Sequence, residues 1–138
     1  MSWAPACGGG VRTLVKSGST LYVGGLFSTL GGATRNRVGA VDITTGALSA
    51  WNPNVTGNSV NAVAVNGSKI YLGGWFTNVG GTVRNNAAAV DATTGALDAA
   101  WNPNANNEIN AIVVDGSQVI LGASKPLSMA PPGPSFLQ

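Results

Sequence analysis

The chemistry open to this chain is bounded by its titratable and nucleophilic side chains. Its 138 residues include no histidine and a single cysteine, Cys7. A Ser-His-Asp triad, a Cys-His dyad and an imidazole metal ligand are therefore excluded. One thiolate cannot build a zinc site, and Cys7 has no basic neighbour before Arg12 to activate it. Asp98 and Glu108 are acids without an acidic counterpart in the repeat set out below. A carboxylate pair can hydrolyse glycosides, but nothing in the spacing brings these two together, and solvated surface acids are the plainer reading. Asp42 and Asp91 each precede Thr-Thr-Gly. Calcium takes about six oxygen ligands, and this motif offers one carboxylate. The expectation is a turn, closed by Gly46 or Gly95, in which the carboxylate caps backbone amides. No catalytic residue, metal or cofactor is expected.

Binding residues concentrate on loops held by a rigid scaffold. The pattern GGxFxxxGGxxRN occurs at residues 24–36 and again at 73–85. It lacks the Lys-Ser/Thr of a phosphate-binding loop, and no helical pattern follows it. The glycines allow tight turns, Phe27 and Phe76 anchor the loop, and Arg35 and Arg84 reach loop carbonyls with their planar forks. Arg35, Asn36, Arg84, Asn85 and Trp75 are the candidate ligand-loop residues. Trp51 and Trp101 follow the Thr-Thr-Gly turns, and each is expected to be buried, docked on an adjacent unit with its N–H bonded to a neighbouring turn. Sugar stacking is their alternative role.

These elements recur because the chain repeats. Residues 11–49 align with 60–98 at an offset of 49, with 19 of 39 positions identical. AWNPN at 50–54 recurs at 100–104, and a third copy opens at Ile109. Residues 1–10 read as the end of a preceding repeat, 11–59 and 60–108 as full repeats, and 109–122 as the start of a third. Residues 123–138, ASKPLSMAPPGPSFLQ, read as a proline-rich linker without fixed structure. Each full repeat holds four strand-like runs. In order along the chain the expected strands are 11–16, 20–25, 38–42, 47–51, 60–65, 69–74, 87–91, 96–101, 109–114 and 118–122. Four short strands every 49–50 residues describe an all-β chain, a partial β-propeller of about two and a half four-stranded antiparallel blades. A β-solenoid is the competing architecture. Only 9% of residues are charged, as suits strands buried on both faces. Four units, the smallest usual ring, need roughly 196 residues. Closing a ring therefore needs further blades, from a longer parent chain or from other copies.

A net charge of +2 and no basic patch argue against a nucleic-acid partner. No apolar run reaches the ~18 residues of a membrane span, and the N-terminus does not read as a signal peptide.

The strings LYVGGLFSTLGGATRNRVGAVDITTGALSAWNPN and IYLGGWFTNVGGTVRNNAAAVDATTGALDAAWNPN resemble the delta-60 repeat, a bacterial β-propeller repeat. The resemblance implies a module of large secreted or surface proteins, extracellular and without established enzymatic activity, serving as a protein- or glycan-binding scaffold. The segment from Ala40 to Trp51 is also similar to the tryptophan-docking repeats of quinoprotein dehydrogenases, whose quinone pocket and calcium site lie outside this motif. The alternative is thus part of a propeller enzyme, a quinoprotein-like dehydrogenase or a glycosidase. Similar repeats in fungal cortical polarity markers imply positioning of partners.

Overall fold

The structure is a computed structural model and describes residues 7–128 and 135–137. The Trp3-Ala4-Pro5 segment, expected as the end of a preceding repeat, lies outside the described residues. The first unit forms a sheet of β1 (Val11–Ser17), β2 (Thr20–Gly25) and β5 (Val38–Asp42), in that order, with the short pair β3 (Thr29–Leu30) and β4 (Ala33–Thr34) beside it. The second unit repeats this with β6 (Val55–Asn66), β7 (Lys69–Val79), β8 (Thr82–Val83) and β9 (Ala87–Asp91). A third sheet holds β10 (Ala111–Asp115), β11 (Gln118–Gly122) and β12 (Ser135–Leu137). The pairings are antiparallel, except that β12 runs parallel to β11.

The hairpins follow from glycine. Gly18, Gly67 and Gly116 each have φ of 60° at the first of two central residues, which is what a type II′ hairpin requires. They join β1 to β2, β6 to β7 and β10 to β11 in the same register.

The expected strands at 47–51 and 96–101 do not form; the first unit's sheet has three strands, whereas the second unit's has four because β8 pairs with β7. Each segment keeps a single bridge, Val41 to Leu48 and Val90 to Leu97. Two side chains stop the ladder. Ser49 accepts the Trp51 amide through Oγ (3.1 Å), and Asp98 accepts the Ala100 amide (3.0 Å). Pro53 and Pro103 follow with no amide to donate. In compensation β6 and β7 extend well beyond the expected 60–65 and 69–74, pairing 55–59 with 75–79 across bulges. The strand expected from 109 starts at Ala111, because the Ile109 amide crosses to the Gly74 carbonyl of the second unit (3.0 Å).

The sheets pack face to face. Tyr22, Val38 and Ala40 of the first unit meet Val60, Val63, Ile70 and Leu72 of the second in one buried cluster. Tyr71, Ala87 and Ala89 of the second unit meet Ile109 and Leu121 of the third segment in another. The middle sheet is thus buried on both faces, which is why its last strand reads AAAVD without alternation. The paired glycines before each phenylalanine make this close packing possible. A Cβ on Gly24 would stand 2.8 Å from Val60 Cγ1, and one on Gly73 would stand 2.6 Å from Ile109 Cγ2. The first sheet's opposite face is open: Val11 and Leu14 are 46% and 59% exposed, against 0% and 6% for their counterparts Val60 and Val63.

The segment after Gly122 was expected to be an unstructured linker. Its described part is held instead. Leu127 is buried in the second cluster, and Ser128 exchanges backbone and side-chain hydrogen bonds with Asn106.

Candidate functional site

The repeated tryptophans sit where one unit meets the next. Trp51 is buried, and its indole Nε1 donates to the main-chain carbonyl of Asp91, 40 residues on (2.8 Å). Tyr22 stands edge-on to it with ring centroids 5.0 Å apart, and the Tyr22 hydroxyl donates to the Ala92 carbonyl (3.1 Å). The two aromatics of the first unit therefore grip the Asp-Thr-Thr-Gly turn of the second. Trp101 forms the same edge-on pair with Tyr71, at 5.1 Å. It is only half-buried, and its N–H has no acceptor among the described residues. The expectation that both tryptophans are buried fits Trp51 and is corrected for Trp101, which is only half-covered.

The turns themselves are built by the acids. Asp42 Oδ1 accepts the amides of Thr44 and Thr45 (2.9 Å each), and Asp91 Oδ1 those of Thr93 and Thr94 (2.8 and 2.7 Å). The amides of Thr45 and Thr94 are the main reason both carboxyl pKa values lie below the ordinary aspartate value. Gly46 and Gly95 close these turns at φ 76°.

The loop arginines bond inward. Arg35 donates to the carbonyls of Thr34 and Ser49 (2.7 and 3.0 Å), and Arg84 to those of Val83 and Ala99 (2.8 and 3.2 Å). Each ties the loop to the segment that leads to the unit's tryptophan. Arg84 is only 7% exposed and offers little to an outside anion. Asn36 clasps Asn54 and Asn85 clasps Asn104, holding the last residue of each WNPN block (2.8 and 2.7 Å). Both clasped asparagines have positive φ, 61° and 52°. Phe27 and Phe76 are fully buried anchors.

Asp98 and Glu108 are given different partners. Asp98 forms an ion pair with Lys69, which lowers its pKa and raises that of the lysine. Glu108 Oε2 accepts from Asn61 Nδ2 (2.9 Å). Cys7 is exposed, with its pKa raised by partial desolvation, the opposite of an activated thiol. No group of three or more potential His, Cys, Asp or Glu metal ligands occurs among the described residues.

Trp75 is the one candidate that faces solvent as a binding residue would. It is 55% exposed and lines a recess of about 150 Å³ with Asn86, Asn106, Asn107, Glu108 and Lys125. Sequence reasoning named Trp75 and noted Glu108 but missed the rest of this set. It also missed Tyr22 and Tyr71, although their recurrence 49 residues apart was a visible signal.

Comparison with protein-family models, with curated proteins and with solved structures returned no match in any of the three. Among the described residues, no helix is long and apolar enough to cross a membrane, which says nothing of a strand-built span.

Proposed function

We propose that the chain is a non-catalytic propeller-repeat module, about two and a half blades long, that serves as a rigid scaffold holding a protein or glycan ligand on loops at one end of its sheets. The observation that carries this reading is the grip of Trp51 and Tyr22 on the turn of the following unit. The residues that recur are used to fix unit to unit, and a scaffold is what such repetition builds. The separate partners of Asp98 and Glu108 speak against a carboxylate pair. The delta-60 resemblance, carried by the quoted motifs, supports reading the module as part of a secreted or surface protein. Within that setting the ring would be completed by further blades of the parent chain or by other copies.

The test is an activity panel run beside a binding screen on the purified chain. Alcohol oxidation with added quinone and calcium, and hydrolysis of aryl glycosides, are both expected to stay at the buffer rate. Saturable binding without turnover is the expected outcome. Turnover that disappears in an Asp98→Asn or Glu108→Gln variant would replace the scaffold with the propeller-enzyme reading.

A further inference from the structure

The two full units differ at many positions, but several of the differences converge on one place. Leu26 of the first unit becomes Trp75, Arg37 becomes Asn86, and Ser59 becomes Glu108. All three replacements line the same recess, together with Asn106, Asn107 and Lys125. In the first unit the longer Arg37 reaches the carbonyls of Gly57 and Phe27 with its guanidinium (2.9 and 3.0 Å). The shorter Asn86 instead spends its amide on the Phe76 amide and the Ala105 carbonyl.

The lining is held in place by bonds that leave its outer atoms unused. Glu108 is fixed through Oε2 by Asn61, which leaves Oε1. Asn107 donates through Nδ2 to the Pro126 carbonyl (2.7 Å), which leaves Oδ1. Asn106 accepts the Ser128 amide at Oδ1 (2.6 Å), which leaves Nδ2. Lys125 has no partner among the described residues, which leaves its ammonium. The recess thus offers two acceptors, two donors and one exposed indole. Its single carboxylate and single ammonium balance in charge.

We propose that this recess is a saccharide subsite, in which a neutral pyranose ring of a glycan lies on Trp75 and bonds its hydroxyls to Glu108, Asn106, Asn107 and Lys125. A pyranose has an apolar C–H face that suits an indole, and each of its hydroxyls both donates and accepts, which matches a mixed set of fixed polar atoms. A charged ligand gains nothing from a lining whose charges cancel. The inference rests on the scaffold reading and names the ligand class for one of its loops.

The experiment screens the full chain against an array of neutral, acidic and amino-sugar glycans. The strongest binder is then titrated by tryptophan fluorescence against wild type, Trp75→Ala, Trp75→Phe and Glu108→Gln. Neutral glycans are expected to bind, and Trp75→Ala to weaken binding by about tenfold or more, the effect of losing one stacking face. Trp75→Phe should keep most of the affinity, Glu108→Gln should weaken it, and none of the three should move the thermal transition appreciably. An array with no bound glycan, or a Trp75→Ala titration that overlays wild type, overturns the subsite. Neither of those results bears on the scaffold reading, which fails by turnover instead.

Discussion

Trp51 and Trp101 are the same residue in the same motif, yet the structure gives them different energetic weight. Trp51 is 3% exposed and hydrogen-bonded across units. Truncation to Ala is expected to cost about 3–5 kcal/mol through the cavity it leaves. Trp51→Phe keeps much of the packing and loses only the cross-unit hydrogen bond, at about 0.5–1.5 kcal/mol, because the Asp91 carbonyl still accepts the Gly95 amide. Trp101→Ala should cost less than Trp51→Ala. Urea unfolding of the three variants ranks them, and equal losses at both tryptophans would show that the cross-unit bond contributes nothing. The acids make a pH prediction. In the folded chain Asp42, Asp91 and Asp98 hold protons more weakly than ordinary aspartates. The unfolded chain therefore takes up protons first as pH falls. The stabilisation is complete above the ordinary carboxylate pKa of about 4 and is lost as pH drops through the lowered folded values. Lys69 has the opposite sign: its raised pKa stabilises below the ordinary lysine value of about 10.4 and is lost above it. Calorimetry should find a level melting temperature between about pH 5 and 9, and an acid limb that flattens in Asp91→Asn. An acid limb unchanged in that variant would remove the turn carboxylate from the account.

At the scale of elements, the hairpins and central strands were legible because apolar runs and glycine turns are local signals. Gly18 and Gly67 marked the turns, and 38–42 and 87–91 were found at their observed limits. The loss of the strands at 47–51 and 96–101 was not legible. Ser49 gives no signal in sequence and Asp98 shows only as a break in the repeat, but their side chains take the amides a ladder would need. The recess was half legible. Trp75 and Glu108 showed as breaks in the repeat, whereas Lys125 reaches it only because Leu127 anchors the following segment. The paired glycines carry the prediction at this scale. A Cβ on Gly74 would meet the Ser59 carbonyl oxygen at 2.2 Å, and backbone cannot swing aside. Gly74→Ala is expected to destabilise by about 1–3 kcal/mol or more, as overpacking does. Gly81→Ala, where no atom lies within 4 Å but φ is 84°, should cost only the backbone strain. Thermal melts of the pair separate crowding from conformation, and a larger loss at Gly81 would reverse the argument.

The whole molecule is an unclosed stack. Its middle sheet is covered on both faces, while the first sheet shows Val11 and Leu14 to solvent and β10 shows Val113, 57% exposed. Apolar sheet surface that is covered in one unit and bare in its repeat favours association. The purified chain is expected to self-associate in light scattering, and Leu14→Lys with Val113→Lys should shift it towards monomer. A monodisperse wild-type monomer with a cooperative melt would show that the open faces are stable as they stand.

The grip between units ends on main-chain oxygens, those of Asp91 and Ala92. A carbonyl is present whatever side chain stands beside it, so the joint reads the path of the turn and is blind to its lettering. The residue after the acid is already different in the two copies, Ile43 in one and Ala92 in the other. Such a joint tolerates gene duplication. A copied unit that keeps its turn is received by the tryptophan before it on arrival, with no matching change required of its neighbour. The remaining positions are then free to diverge one copy at a time, and the exchange of Leu26 and Arg37 for Trp75 and Asn86 is a divergence of that kind. Length and specificity can evolve more independently in this architecture because the polar joint between its parts ends on backbone.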